Sequence, residues 1–376
     1  MKSKNRILFL INTLNGGGAE KVLVNLANGL SGEGYEITIQ TLNRGVNENS
    51  LRAEVRLRSL VNGKLTKLKD YLVRAFCKLL PYSLQAKYLL RGDFDIKVAY
   101  LEGYPTKVIK ADRSSAKRVA YVHSDLSKGY TLHKLYSTVL DCQREYDSLN
   151  GTAFVSKVAQ AGFYKKVGML KNSVVVHNVM DVDDILYKSK FEPKYRFSDG
   201  CIKLIAIGRL SAPKSFDRLI KVINRLNSTE LKIELLILGI GELEYYLKKL
   251  AEDLGCNNIK FLGYQSNPYQ YMAMSDLMVC SSLYEGYSTT TVEAILLGLP
   301  VLTTECAGMD EILDRGKYGV IVKNNEEDLF NGLHQLLSTP NALSELSLRA
   351  HERSLQLKTN ENLIQNINFL NHAANA

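Results

Sequence analysis

Short apolar runs alternate with stretches of helical periodicity along the 376-residue chain. Arg6–Asn12 (RILFLIN) is apolar at successive positions, as in a strand covered on both faces, and a helical stretch, Lys21–Leu30, follows an Asn-Gly-Gly-Gly turn. Strands are predicted at Glu36–Thr41, Ile96–Leu101, Arg118–His123, Thr152–Ser156 and Ser173–Asn178. A second series reads as strands at Cys201–Ile207, Ile233–Gly239, Ile259–Gly263, Leu277–Val279 and Tyr318–Val322, with helices at Gly241–Leu254, Thr291–Leu297 and Gly308–Leu313 and a helical pattern from Asp328 onward. Such alternation predicts an α/β protein with parallel sheets. The length exceeds one comfortable core, so two domains are expected. Val182–Gly200 is polar, contains Pro193 and lacks periodicity, which reads as a linker. The expected division is therefore 1–181, a linker at 182–200, a second domain at 201–358, and a terminal helical segment at 359–376.

Composition adds class and environment. Hydrophobic residues make up 45% and charged residues 23%, as in a globular protein, and no apolar run reaches the length of a spanning helix. The N-terminus (MKSKNRILFLIN) carries charge before a short apolar run but no small-residue cleavage site, so it reads as a first strand. Six scattered cysteines without a C-x-x-C pair predict neither disulfides nor zinc, and fit a reducing cytoplasm. Lys and Arg outnumber Asp and Glu by 30 to 17 in residues 1–190, whereas residues 191–376 hold 18 against 22. That asymmetry implies an anionic partner for the N-terminal half, a nucleic acid or an anionic membrane face. Lys64–Arg91 concentrates seven basic residues and one acid. There Leu65, Leu68, Leu72, Phe76 and Leu79 recur at helical spacing, away from most of Lys64, Lys67, Arg74 and Lys78. Two readings are open: a helix on a membrane surface, or one packed on its domain with a solvated basic face. Tyr82 and Tyr88, past the break at Pro81, are interfacial anchors in the first and packing residues in the second. No nucleic-acid module accompanies the basic stretch, so the membrane is the anion expected. The motifs H-E-x-x-H, G-x-S-x-G and G-x-x-x-x-G-K-[ST] are absent, against a zinc protease, an α/β-hydrolase and a P-loop nucleotidase.

The chain is organised around Ser281–Thr304, SSLYEGYSTTTVEAILLGLPVLTT. Gly286 and the hydroxyl residues 288–291 stand before a helix, where backbone amides and the helix dipole favour an anion such as a diphosphate. Glu285 and Glu293 bracket that position and suit the hydroxyls of a sugar nucleotide; the alternative is an ordinary strand-to-helix turn with both carboxylates on the surface. Arg209 and Lys214 follow a predicted strand and are either a phosphate clamp or surface cations. Gly16–Gly18 permit close backbone approach to a ligand, or form a simple turn. His123 ends a predicted parallel strand, where ligands of open α/β sheets bind, though a structural histidine is the commoner case.

The E-x7-E pair Glu285 and Glu293, set in YEGYSTTTVEAILLGLPV, resembles the signature of the family 4 retaining glycosyltransferases (glycosyl transferases group 1) of GT-B fold. Further similarities span most of the chain. Gly208-Arg209 with Lys214 is similar to the family's diphosphate pair, with Ser215 where glycine is usual. Val176-His177-Asn178-Val179-Met180-Asp181 resembles its Pro-Asn-Gly-x-Asp interdomain segment, with His177 replacing proline and Val179 replacing glycine. The resemblance implies two Rossmann-like domains facing each other across a cleft, with the terminal helix at 359–376 crossing back to the first. It implies transfer of a hexosyl or N-acetylhexosaminyl group from a UDP-sugar to a glycan, lipid-linked acceptor in bacterial polysaccharide assembly, with retention. His123, Glu285, Arg209 and Lys214 take the catalytic positions; Gly17, Gly18, Tyr264, Gln265, Gly286, Tyr287, Ser288, Thr289 and Glu293 take the donor-binding ones. Cations and amides at the leaving diphosphate remove the need for a metal or other cofactor, and no D-x-D pair stands in a convincing loop. The expected location is the cytoplasmic face of the cell membrane, as a peripheral protein. The alternatives are a nucleotide-sugar epimerase of the same architecture and a non-catalytic nucleotide-sugar-binding protein.

Overall fold

The computed structural model describes residues 5–15, 17–45, 50–62, 66–127 and 136–375. They form two compact units, residues 1–180 with 360–376, and residues 181–359.

The first unit runs β1 (Arg6–Leu10), α1 (Gly18–Gly32), β2 (Glu36–Asn43), β3 (Arg56–Val61), α2 (Lys67–Leu79), α3 (Tyr82–Leu89), β4 (Ile96–Ala99), α4 (Tyr104–Lys110), β5 (Lys117–Val122), α5 (Val139–Asp147), β6 (Gly151–Phe154), α6 (Lys157–Lys166) and β7 (Ser173–Val175). The sheet is parallel throughout, in the order β3-β2-β1-β4-β5-β6-β7. Its unbroken apolar strands follow from burial on both faces: Ile7 and Phe9 join a core with residues of α1, while Leu8 and Leu10 join a second core with residues of α3 to α6. Lys97 of β4 is tolerated inside because its ammonium meets Asp112 Oδ2 at 3.0 Å and Ser114 Oγ at 2.9 Å.

The second unit runs α7 (Val182–Lys188), β8 (Ile202–Ile207), α8 (Phe216–Leu226), β9 (Ile233–Leu238), α9 (Glu244–Asp253), β10 (Ile259–Gly263), α10 (Tyr269–Ala273), β11 (Leu277–Cys280), α11 (Thr289–Leu296), β12 (Val301–Thr304), α12 (Met309–Ile312), β13 (Val320–Val322), α13 (Glu326–Ser338) and α14 (Ala342–Leu357). This sheet is also parallel, in the order β10-β9-β8-β11-β12-β13. In each sheet the strand order reverses once, between β1 and β4 and between β8 and β11. The carboxyl ends of such switch-point strands are where ligands of doubly wound sheets bind.

The last helix, α15 (Glu361–Asn375), packs on α1, β5 and β6 in the first unit. Asparagines fix it. Asn366 accepts from Tyr121 Oη at 2.8 Å and donates to the His177 carbonyl, while Asn362 donates to the Asn178 carbonyl at 3.0 Å. The segment that lacks the family's proline and glycine is thus held by side-chain amides, with Asn25 donating to the Val179 carbonyl.

Two expectations change. Residues 182–200 are not a free linker: Asp181 caps α7 by accepting from the Asp184 N–H, Ile185 is buried, and Glu234 of β9 takes hydrogen bonds from Tyr195 Oη and the Ser198 N–H. Seven residues are too few to show helical periodicity, which is why α7 is missed. The Lys64–Arg91 stretch becomes two helices broken at Pro81. Val73 and Phe76 of α2 turn inward, while Leu68, Leu72 and Leu79 of the predicted stripe are exposed together with Tyr71, Tyr82 and Tyr88. Arg74 pairs with Asp70 at 2.8 Å. Lys64, Leu65 and Gly16 lie outside the described residues.

Candidate active site

The loops after β8 and β11 hold Arg209, Lys214 and Glu285, and Glu293 lies in α11, which follows the second loop. Beyond β8, Ala212–Lys214 form a single 3-10 turn and Ser215 turns left-handed at φ +46°, which ends that turn and starts α8. Beyond β11, Ser288 caps α11, its Oγ meeting the Thr291 N–H at 3.4 Å and Thr291 Oγ1 at 3.0 Å. This leaves the amides of Thr289 and Thr290 at the positive end of the helix dipole. Backbone packs on backbone at the neighbouring strand ends: Gly239, at φ +135°, would drive a Cβ to 1.9 Å from the Gly208 carbonyl oxygen. A Cβ on Gly308, at φ +79°, would lie 2.9 Å from the Gly286 carbonyl oxygen, so the loop of Gly286 and Tyr287 lies against backbone.

Lys214 and Glu285, separated by 71 residues, meet: Nζ lies 2.5 Å from Oε1. Ser282 Oγ donates to the same oxygen at 2.6 Å. Burial alone would lower the Lys214 pKa, but the Glu285 charge and hydrogen bond outweigh it and raise it above the ordinary lysine value. The ammonium therefore keeps its proton. Arg209 is exposed, and its guanidinium has no ion-pair partner among the described residues. Glu293 is not on the surface. It is 2% exposed within α11, and the equally buried Tyr269 of α10 donates to its Oε1 at 3.1 Å. Burial beside Glu293 pushes the Tyr269 phenol far up, so it remains a donor. Tyr287 is likewise pushed up by burial. Gln265 folds back on its own turn, donating to the Leu262 carbonyl at 2.7 Å, while Tyr264 is exposed; what residues 264–265 present outward is ring and backbone.

In the first unit, His123 leaves β5 beside β4, next to the switch point. Its N–H donates to Glu102 Oε2 at 3.0 Å, and its ring packs on Tyr100 at 4.8 Å. The aromatic stack continues from Tyr100 to Tyr121 and ends on Phe369 of α15. Burial pushes the His123 imidazole down to about 4, against the opposing pull of Glu102 and a hydrogen bond with the Tyr100 backbone. The ring is neutral at physiological pH, and its buried Nε2 has no hydrogen-bond partner among the described residues. Gly17 and Gly18 form the N-cap and first residue of α1, following β1. Glu102, Ser282 and Tyr269 escaped the sequence reading because nothing in their local pattern marks them; Glu102 and Tyr269 matter through partners 21 and 24 residues away, and Ser282 through Glu285, three residues on. Among the described residues no group of three or more His, Cys, Asp or Glu could hold a metal ion.

Residues 188–353 match the family described as glycosyl transferases group 1. An uncharacterized glycosyltransferase of Methanocaldococcus jannaschii is 34% identical over 206 residues, 49% of this chain and 50% of that protein. A Campylobacter jejuni N-acetylgalactosamine-N,N'-diacetylbacillosaminyl-diphospho-undecaprenol 4-alpha-N-acetylgalactosaminyltransferase is 24% identical over 342 residues, covering 87% and 88% of the two chains. In fold, the chain is similar to Anabaena HepE, solved with UDP and glucose, at a TM-score of 0.74 and 18% identity over 96% of this chain and 98% of that one. Two all-parallel Rossmann-like units, with these similarities in fold, give the chain the GT-B architecture, and its residues 188–353 match glycosyl transferases group 1.

Proposed function

We propose that the protein transfers a hexosyl or N-acetylhexosaminyl group, with retention, from a UDP-sugar to a lipid-linked glycan acceptor in bacterial polysaccharide assembly. The observation that carries the reading is the Lys214–Glu285 pair beside the head of α11. As the nucleotide leaves, negative charge develops on the β-phosphate. Lys214, Arg209 and the amides at Ser288 and Thr289 are preorganised donors for that charge, which lowers the barrier more than it tightens the ground state. Glu285 accepts from a donor-sugar hydroxyl and Glu293 from the ribose, with the base read by the backbone at Tyr264 and Gln265. Gly286 and Tyr287 complete the turn around the diphosphate. Gly17, Gly18 and neutral His123 are the donor ligands of the first unit, His123 as a hydrogen-bond acceptor. The acceptor oxygen replaces the nucleotide on the same face, without a metal. The C. jejuni relative, whose name specifies a diphospho-undecaprenol-linked acceptor, supports the acceptor class.

Incubation with a panel of UDP-sugars tests this reading. Slow UDP release that persists in EDTA is expected; a new sugar nucleotide would indicate epimerisation, and binding without release would indicate a non-catalytic protein.

The same proposal places the chain peripherally on an anionic membrane face. No described helix is long and apolar enough to cross a membrane. Leu68, Tyr71, Leu72 and Leu79 are exposed on a helix that also carries Lys67, Lys69, Arg74 and Lys78. Each engaged cation adds on the order of 1 kcal/mol at low salt, so binding is reversible and salt-sensitive. Changing Lys64, Lys67, Arg74 and Lys78 to Gln is expected to abolish co-sedimentation with anionic vesicles; equal sedimentation of both proteins would reject this surface.

A further inference from the structure

Arg218, in the first turns of α8, is a buried cation that no carboxylate hydrogen-bonds among the described residues. Its Nη2 donates to the Ser281 carbonyl and, at 3.5 Å, to that of Ser282, while Nη1 donates to Asn324 Oδ1 at 2.9 Å. The Asn324 amide in turn donates to the carbonyls of Ser282 at 3.2 Å, Leu283 at 2.9 Å and Glu305 at 3.1 Å. The Ser281, Ser282 and Leu283 carbonyls belong to the chain just past β11, and that of Glu305 to the chain just past β12, where the sheet no longer supplies N–H partners. Buried there, they need other donors. A guanidinium and one amide supply them, with Thr304 Oγ1 adding a bond to the Ser282 carbonyl at 2.6 Å. The same three residues reach the charged pair. Ser282 Oγ donates to Glu285, Ser281 Oγ donates to the carbonyl of Lys214 at 2.9 Å, and the Leu283 N–H donates to the Pro213 carbonyl at 2.8 Å. Burying a guanidinium with no hydrogen-bonded carboxylate among the described residues is costly, and an apolar side chain would fill the inner face of α8 more cheaply. What the cation supplies is a fixed path for one loop.

We propose that Arg218 and Asn324 are positioning residues for glycosyl transfer, their shared hold on the carbonyls of Ser281, Ser282 and Leu283 setting Glu285 opposite Lys214. The inference rests on the reading of Lys214 and Glu285 as donor ligands. Neither Arg218 nor Asn324 hydrogen-bonds Lys214 or Glu285 among the described residues; both act through the loop.

The test uses the full chain with Arg218→Met, Arg218→Lys and Asn324→Ala, the last leaving the core face of α8 intact should Arg218→Met fail to fold. Without ligand, hydrogen–deuterium exchange of peptides covering 281–290 is expected to rise about tenfold in Arg218→Met and Asn324→Ala, with peptides of β8, β9 and the first unit unchanged. In UDP release from UDP-glucose and UDP-N-acetylgalactosamine, kcat is expected to fall more than KM changes, with partial recovery in Arg218→Lys. Combined with Glu285→Gln, either variant should cost little beyond the worse single change, because both act on one contact. Unchanged exchange at 281–290 in a folded variant overturns the proposal, as do losses that multiply in the double variant. Full activity of Glu285→Gln would instead remove the donor reading, and the exchange result would still decide the clamp.

Discussion

Nζ of Lys214 and Oε1 of Glu285 stand 2.5 Å apart, so the cation proposed to receive a phosphate is already occupied by the carboxylate proposed to receive a sugar hydroxyl. Binding of a donor must replace that contact. The pair keeps Lys214 protonated and both groups aimed before ligand arrives.

Glu285→Gln should therefore have opposite effects on two ligands. Freed from its partner, Lys214 binds the phosphates of bare UDP more tightly, by up to about 1 kcal/mol for a part-exposed pair. Turnover of a UDP-sugar falls, since a charged acceptor is worth about 1.5–3 kcal/mol to a hydroxyl. Calorimetry with UDP and a UDP-release assay check the two signs; loss of both affinity and turnover in equal measure would reject the competition.

Glu293→Ala should weaken UDP binding by about 1.5–3 kcal/mol, the range for a hydrogen bond to a charged group. Tyr269→Phe should leave Glu293 one donor short and perturb UDP affinity less. UDP affinity unchanged by Glu293→Ala would rule out the ribose assignment.

Protonation of His123 should destabilise the first unit. Its folded pKa of about 4 lies below the ordinary 6.5, so the unfolded chain takes up a proton that the folded ring refuses. The stabilisation is complete above about pH 6.5 and is lost as pH falls from there towards 4, by up to about 3 kcal/mol. His123→Gln removes this slope. Urea unfolding at pH 7 and pH 4.5 compares the two proteins, and a stability difference that stays constant would disprove the buried neutral ring.

Ser215→Gly should stabilise the second unit. A left-handed serine at φ +46° carries about 1–2 kcal/mol of steric cost, of which glycine's extra unfolded-state freedom cancels roughly half. A gain of about 0.5–1 kcal/mol in the urea midpoint is expected, whereas Ser215→Val should destabilise; a destabilised Ser215→Gly would mean the Ser215 side chain contributes more than its backbone costs.

The local pattern of the sequence determined the two-series α/β architecture, because strands covered on both faces must read as continuous apolar runs. It also marked Glu285, Glu293, Arg209 and Lys214, whose spacing in the chain resembles a family signature. Tertiary structure alone decided their surroundings. Periodicity could not show that Glu293 is buried against Tyr269, that Lys214 spends its charge on Glu285, or that a carbonyl-lined turn rests on Arg218, because each depends on strand order bringing distant loops to one sheet edge. The same holds for α15, whose asparagines look like a polar helix face until Tyr121 and the carbonyls of His177 and Asn178 are placed against them. Hydrophobic pattern is a local property of one element; a hydrogen-bond partner is a property of the fold.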